Sequence, residues 1–212
     1  MLRMTASLTC LLLITPAAAL AGRIDAADGS SADVWRSQLE AAGMEPGTVA
    51  SLEVVEMARG GGEVYRLLRQ RVGGLVVYGE PLELVTTVGG DVVELEGEPE
   101  PVARDGALSS LIGDRQGLEF VLRYLLGLVS GRVRLVGVEE GVTVWVALGG
   151  EVEARVAHVA LPAGGGEFEE GLIVVVQEGD GESLRVVLDG EGRIVEGACP
   201  VGDGLSMFAP CF

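Results

Sequence analysis

The sequence predicts an α+β fold made of two consecutive units, each with one helix packed on an antiparallel sheet. Three observations support this prediction. Val and Leu are abundant while aromatic residues make up only 4% of the chain, a composition that favours strands. Short apolar runs are separated by Gly-rich turns, as in hairpins. The order of a helical stretch followed by several strands occurs twice, so each sheet can bury one face against its own helix.

The N-terminus has the pattern of a cleaved export signal. Arg3 is followed by an apolar run over residues 8–14, and Pro16 ends that run. The small-x-small pattern of Ala19, Leu20 and Ala21 predicts cleavage before Gly22. The apolar run is shorter than the roughly 20 residues of a membrane-spanning helix, so a retained anchor is only the alternative. We expect residues 1–21 to be removed, residues 22–31 to form a flexible leader, and the mature protein to be secreted or periplasmic.

The charge of the chain limits its partners. The 212 residues carry 32 acidic and 15 basic side chains, a formal net charge of −17 at pH 7. Such a surface repels nucleic-acid backbones and anionic lipid. The prediction is therefore no nucleic-acid partner and no membrane insertion after signal cleavage. The oligomeric state stays open.

The first predicted unit covers residues 32–97. Asp33 is placed to cap a helix that contains Trp35 and Leu39 and ends at Gly43. Pro46 and Gly47 then predict a turn. The four predicted strands are residues 52–57, 63–71, 75–87 and 91–96.

The second predicted unit covers residues 114–197 and follows a Pro-rich linker over residues 98–113. Apolar residues at helical spacing predict a helix over residues 114–129 that ends before Gly131. Turns such as residues 189–192 have hairpin composition. The predicted strands are residues 132–138, 142–148, 152–161, 172–177, 184–188 and 193–195. Residues 198–212 form a Cys-containing tail.

The sequence lacks the usual catalytic patterns. A zinc peptidase of the common kind needs two His residues one helical turn apart, and His158 is the only His. His158 has apolar neighbours, so a structural role is favoured over a Ser–His or Cys–His site. Glycosidase-type carboxylate pairs are formally available, but the aromatic platforms of sugar clefts are scarce. We expect no enzyme activity and no cofactor.

Two acidic turns raise the alternative of a calcium site. Residues 178–182 and 189–191 each place carboxylates close together around Gly residues. Carboxylate oxygens suit Ca²⁺, but neither turn has the EF-hand spacing. Ordinary turn chemistry accounts for both segments, so the prediction is no metal.

Two cysteines remain after signal cleavage. Cys199 and Cys211 lie close together in the tail, whereas Cys10 belongs to the signal peptide. A close pair in an oxidising compartment predicts a disulfide. Two free thiols are the alternative.

A spacing pattern over residues 65–97 carries the strongest family signal. Arg66 and Gln70 lie on a strand that precedes a Gly, an apolar–aromatic–Gly triplet, an apolar strand, a Gly turn and a closing Gly. Physically, Gln70 can bridge backbone groups at a strand end, and the apolar members face the core. The remaining members are Gly74, Val77, Tyr78, Gly79, Leu82, Gly90 and Gly97.

This pattern resembles the propeptide domain of the fungalysin/thermolysin metallopeptidases, and residues 156–160 and 185–195 resemble the PepSY-type subdomain that follows it. The resemblance implies cystatin-like and PepSY-like sheets, in which the pattern residues are structural and not catalytic. In the family this region helps a zinc peptidase domain to fold and keeps it inhibited. Here the chain ends at Phe212.

The resemblance therefore implies a non-catalytic protein-binding module, an inhibitor or folding helper of a separate secreted thermolysin-like zinc peptidase. The alternative is a structural or envelope module that has no peptidase partner.

Overall fold

A computed structural model describes residues 34–103, 108, 112–127, 133–139, 141–201, 207, 208 and 210. The predicted signal peptide, the leader and Asp33 lie outside the described residues. Three α-helices are described: α1 (Val34–Ala41), α2 (Pro46–Ala50) and α3 (Asp114–Leu126). A short 3₁₀ helix covers Leu148–Gly150. None of the helices in these parts of the chain combines the length and apolarity that crossing a membrane requires.

Eleven strands are described. In chain order they are β1 (Leu52–Gly60), β2 (Glu63–Val72), β3 (Leu75–Val77), β4 (Leu82–Thr87), β5 (Val92–Glu96), β6 (Arg134–Glu139), β7 (Val142–Ala147), β8 (Val152–Gly164), β9 (Glu167–Glu178), β10 (Ser183–Leu188) and β11 (Ile194–Val201).

The predicted two-unit α+β architecture is wrong. The described chain is 54% strand and 18% helix, and its eleven strands form one curled half-barrel sheet. The strand order is β11-β10-β9-β8-β3-β2-β4-β5, with β1 paired to β2 and the β6–β7 hairpin paired to β8. The physical reason is the parallel pairing of β3 with β8, where Val76 lies opposite Val159 and Val77 opposite Ala160. This pairing joins the two predicted sheets edge to edge.

Both long helices pack on the same face of this sheet. Trp35 and Leu39 of α1 contact Leu68 and Leu84, and α3 packs through a second cluster on β8, β9 and β10. Because Val77 pairs with Ala160, the two clusters share a face across β3, where Val72, Val77, Val102 and Ala160 form a third cluster. The described helices therefore lie in one layer on a single face of the sheet.

The segment after β5, predicted as the start of a linker, is held against the sheet. The N–H of Val102 donates to Thr48 Oγ1 at 3.0 Å, and the N–H of Ala103 donates to the carbonyl of Gly166 at 3.0 Å. The side chains of Val102 and Ile112 are buried. The two hydrogen bonds tie the segment to α2 and to the β8–β9 turn.

The opposite face of the sheet, on which none of the described helices packs, is called the helix-free face here and carries a smaller core. In it, Met207 and Phe208 pack against buried residues of the central strands. Those residues are Val159, Leu161, Ile173 and Val187. Met207 and Phe208 thus cover part of the middle of the helix-free face.

Most elements lie close to their predicted positions, but β9 begins at residue 167 where 172 was predicted, and β11 runs to residue 201 where 195 was predicted, into the predicted tail. Three further differences concern α2, the strand pair β3 and β4, and α3. Residues 46–50 form α2, with Pro46 at its start, where the sequence predicted only a turn. The predicted strand 75–87 is divided into β3 and β4 by Tyr78–Pro81. Helix α3 ends at Gly127, whose φ of 65° gives a left-handed C-cap; the predicted end at Gly131 lies outside the described residues.

Candidate functional site

The residues of the family-like pattern make internal contacts in the described structure. Arg66 is buried, and its guanidinium donates to Thr86 Oγ1 at 2.5 Å. Burial, assisted by the charge of Arg59, lowers the pKa of Arg66. Gly74 and Gly90 have φ angles of 82° and 95° in hairpin turns, which is the conformation that favours Gly.

Gln70 bridges backbone groups, as its position at a strand end predicts. Its Nε2 donates to the carbonyl of Glu100 at 2.6 Å, and the N–H of Glu100 donates to its Oε1 at 3.0 Å. The amide therefore replaces one step of a strand ladder and fixes the segment after Gly97.

Val77 and Leu82 are buried, also as predicted, and Gly97 lies against Leu82. A Cβ at Gly97 would lie 2.7 Å from Leu82 Cδ2, and the φ angle of Gly97 is 92°. Both the space and the backbone conformation therefore require Gly at this position.

Tyr78 and Gly79 link the two halves of the sheet, a role that the sequence did not predict. The N–H of Tyr78 donates to the carbonyl of Ala160 at 2.9 Å, and the N–H of Gly79 donates to the carbonyl of Phe208 at 3.0 Å. The Tyr78 hydroxyl donates to Glu196 Oε2 at 2.5 Å. The pKa of Tyr78 is raised, mainly because the side chain is buried and secondly because its hydroxyl is bonded to Glu196.

The partner of Tyr78, Glu196, also pairs with Arg185. Arg185 is 3% exposed, and its NH2 donates to Glu196 Oε1 at 2.8 Å. The guanidinium lies 5.6 Å from the centre of the Tyr78 ring and donates to the carbonyl of Met207 at 3.2 Å. A charged pair with this much hydrogen bonding holds β3, β10, β11 and the tail together.

The pattern residues also line a cavity of about 370 Å³ beside the tail. Six of them contribute to its wall: Gln70, Val77, Tyr78, Gly79, Leu82 and Gly97. The side-chain amide of Gln70 and the hydroxyl of Tyr78 are already used within the fold. We therefore assign these residues to the architecture of the fold and not to ligand chemistry.

His158 lies in a polar cluster between α3 and the sheet. Its Nε2 is 2.6 Å from Asp114 Oδ1, and its Nδ1 is 2.5 Å from Glu170 Oε1. The hydroxyl of Thr143 donates to Asp114 Oδ2 at 2.8 Å, and Trp145 Nε1 donates to the Thr143 hydroxyl at 2.9 Å. His158 therefore bridges two carboxylates. Its apolar sequence neighbours indicated a structural role but not these polar partners.

This cluster does not have the geometry of a nucleophile–base pair. Both ring nitrogens of His158 face carboxylates, and Thr143, the hydroxyl in the cluster, contacts Asp114 and not the ring. A Ser–His–Asp site needs one ring nitrogen free to take the proton of the nucleophile. His158 is instead placed to hold the first turn of α3 on the sheet.

Asp189 organises one of the two acidic turns. Its Oδ1 accepts the N–H groups of Glu191 at 3.0 Å and Arg193 at 2.9 Å, and its Oδ2 accepts Arg193 Nε at 2.6 Å. Burial, the largest single influence, raises the pKa of Asp189, but the bonds from Arg193 and Glu191 together outweigh it and lower the pKa. Among the described residues, no group of three or more His, Cys, Asp or Glu is placed to hold a metal.

Cys199 is disulfide-bonded, and its side chain is buried. Cys211 lies outside the described residues, so the pairing of Cys199 with Cys211 stays a prediction. Arg185 NH2 lies 3.9 Å from the Cys199 sulfur, which places the disulfide next to the Tyr78 network.

In the part of the chain that the structure describes, strand β1 has one free edge. Its first residue is buried and the eight that follow are exposed, and among the described strands it pairs with β2 alone. Backbone hydrogen bonds join Ser51 to Arg71, and a two-residue turn joins Gly60 to Glu63. Alternate residues of an antiparallel strand bond to its neighbour. The N–H and C=O groups of Leu52, Val54, Met57 and Arg59 therefore point away from β2.

The beginning of this edge borders a cavity of about 470 Å³. Arg36 reaches the edge from α1, since its NH2 donates to the outward-pointing carbonyl of Leu52 at 3.0 Å. Arg71 lines the same cavity, where its Nε pairs with Glu53 at 2.5 Å. Glu53 is the only acid among the described residues that line it, so this cavity is locally positive in an acidic protein.

A shallow groove on the helix-free face lies beside the same strand. In the register of the sheet, Ala58, Tyr65 and Val85 form one row across β1, β2 and β4. The neighbouring row is Glu56, Leu67 and Glu83. Within the described part of the chain, neither Glu56 nor Glu83 has an ion-pair partner. The groove has an apolar floor and an acidic border.

Comparisons with known proteins do not place this chain in a family. No family model matches it, and no curated protein matches it either. The resemblance to a peptidase propeptide therefore remains a prediction from the residues of the pattern.

Proposed function

We propose that this chain is an exported, non-catalytic protein-binding module that pairs the free edge of β1 with an extended segment of its partner. The observation that carries the proposal is the nine-residue strand β1, which has one edge unpaired by any described strand and exposes Val54, Val55 and Met57. An exposed sheet edge supplies main-chain hydrogen bonds to an added strand, and nearby pockets select its side chains.

The charges around β1 favour a basic partner over a second copy of the chain. Glu56 and Glu83 border the groove beside β1, and the whole chain carries a net charge of −17. Two such chains repel each other, whereas a basic partner is attracted and its encounter is accelerated. Charged residues and the bulge between Val54 and Glu56 also oppose edge-to-edge pairing of two β1 strands.

The partner that we favour is a separate secreted zinc peptidase, which the module inhibits or helps to fold. This choice rests on the propeptide-like pattern over residues 65–97. The second candidate is a structural or envelope module without a peptidase partner. It is favoured by one observation: the polar and aromatic members of the pattern, Arg66, Gln70 and Tyr78, use their side chains in internal contacts.

Titration of residues 22–212 against the zinc peptidases secreted by the source organism tests the proposal, with binding, inhibition and refolding as readouts. The decisive variant is Val54→Pro. It removes an N–H that points away from β2, so the β1–β2 ladder stays intact. Val54→Thr is the matched control, because it keeps the N–H and the strand preference.

We expect Val54→Pro to weaken partner binding at least tenfold while Val54→Thr binds as the unaltered protein does. Thermal unfolding of both variants checks that the fold is kept. Binding that survives Val54→Pro removes β1 from the proposal. The absence of any effect on every peptidase makes the structural module the better account.

A further inference from the structure

We propose that the partner segment bound at β1 is a free carboxyl terminus, whose terminal carboxylate lies beside Arg36 and Arg71. This inference rests on the proposed function, because it names the chemistry of the segment that the β1 edge would take. It follows from the direction in which a strand can add to β1 and from the charges found where such a strand would end.

The polarity of β1 determines which end of an added segment lies near Arg36. A segment that pairs antiparallel to β1 runs from Arg59 toward Leu52, so its carboxyl end reaches the beginning of β1. Antiparallel pairing is slightly more stable per residue than parallel pairing. The outward groups of Arg59, Met57 and Val54 would bond to the segment, and the carbonyl of Leu52 is already taken by Arg36. The ladder available to a partner therefore stops at Arg36.

Two arginines lie where the added strand would end. The guanidinium of Arg36 is held over the ring of Trp35 at 4.9 Å, which orients it. Its Nε is buried and has no hydrogen-bond partner among the described residues, so the fold does not use all of its donors. Arg71 donates to Glu53 and to the carbonyl of Gly74, and its charge faces the same cavity.

The cavity beside these arginines has room for a terminal carboxylate. Besides Arg36, Arg71 and Glu53, the cavity of about 470 Å³ is lined by uncharged residues: Gly47, Ala50, Ser51, Leu52 and Val54. Two guanidinium groups and one carboxylate leave it with a net positive charge. Arg binds carboxylates through paired, charge-assisted hydrogen bonds, and capture of a terminal carboxylate is an established way of recognising peptides. An internal segment of a partner would bring an anion to this position only through an Asp or Glu side chain, whereas every free carboxyl terminus brings one.

The test uses random seven-residue peptides displayed at the carboxyl terminus of a carrier protein and selected against residues 22–212. A selected peptide is then synthesised in two forms, with a free carboxylate and with a carboxamide. We expect the carboxylate form to bind about tenfold or more tightly than the amide, as expected for a charge-assisted hydrogen bond.

Two arginine variants test the carboxylate site independently, so that one result remains if the other variant folds poorly. Arg36→Gln and Arg71→Gln should each reduce the preference for the carboxylate and leave the affinity for the amide unchanged. Val54→Pro should weaken both forms equally. Amide exchange should show protection at Val54, Met57 and Arg59 on binding.

Failure of this inference is distinct from failure of the proposed function. Equal affinity for the two peptide forms, with Val54→Pro still weakening both, overturns the carboxylate site and leaves the β1 edge as a binding surface. No enrichment of any peptide also overturns the inference. A selected peptide that is insensitive to Val54→Pro contradicts both. Sedimentation in the absence of peptide that shows dimers broken by Val54→Pro would identify a second copy as the occupant and overturn the inference.

Discussion

At the scale of single residues, the contact between Gly97 and Leu82 predicts a measurable cost for one methyl group. Gly97→Ala places a Cβ 2.7 Å from Leu82 Cδ2 and imposes strain at a φ of 92°. Gly43→Ala is the matched control, since its φ is 100° and nothing lies within 4 Å of the added Cβ. Both variants lose about 1–2 kcal/mol from the backbone, and Gly97→Ala should lose a further ~1–3 kcal/mol from overpacking.

Urea unfolding of the two variants measures this difference. Equal losses for Gly97→Ala and Gly43→Ala would contradict the close packing of Gly97 on Leu82.

Asp189 predicts a pH dependence at the same scale. Its pKa is lowered in the folded protein, so its contribution to stability is present above its ordinary pKa of about 4 and is lost as pH falls. Asp189→Asn should cost about 1–3 kcal/mol at pH 7, because bonds to a charged acceptor are lost. The gap between the two proteins should narrow toward pH 2–3 in urea titrations. A gap that stays constant with pH would rule out this linkage.

At the scale of elements, His158 predicts how firmly α3 is attached. His158→Leu keeps much of the side-chain volume but leaves Asp114 and Glu170 without the ring that bridges them. We expect a loss of about 1–3 kcal/mol, since partly buried carboxylates lose their partner. Amide exchange in the first turn of α3 should accelerate more than exchange in β9.

Arg115→Ala is the control for this prediction. Arg115 pairs with Glu119 on the exposed side of the same helix, and such pairs contribute about 0–1 kcal/mol. If both variants cost the same, His158 does not attach α3.

The elements were largely predictable from the sequence because their signals are local. Gly-rich turns and apolar runs placed most of β1 to β11 within a few residues, and the position of Gln70 correctly predicted a backbone bridge. The pairing of β3 with β8 was not predictable, since β3 has only three residues and its partner is distant in sequence. The His158 cluster was missed for the same reason, because Asp114 and Glu170 belong to other elements. The free edge of β1 became visible only with the strand order.

At the scale of the whole molecule, a single sheet predicts a single unfolding transition. Trp35 lies in α1 and Trp145 in β7. Trp35→Phe therefore leaves Trp145 as the tryptophan fluorescence probe, and Trp145→Phe leaves Trp35, so each variant reports on a different half of the sheet. Urea midpoints of the two single-probe proteins should coincide once each is corrected for its own stability by circular dichroism. Two separate transitions would restore the two independent units that the sequence predicted.

The three residues of β3 also determine when the chain can finish folding during its synthesis. Val76 and Val159 are neighbours in the sheet although roughly 80 residues separate them along the chain, and contacts of such large sequence separation form slowly. Domains emerge from the ribosome N-terminal end first. The nascent chain therefore exposes Val72 and Val77 until Ala160 has been made. During that interval the uncovered apolar side of β3 is open to chaperones and to misassembly.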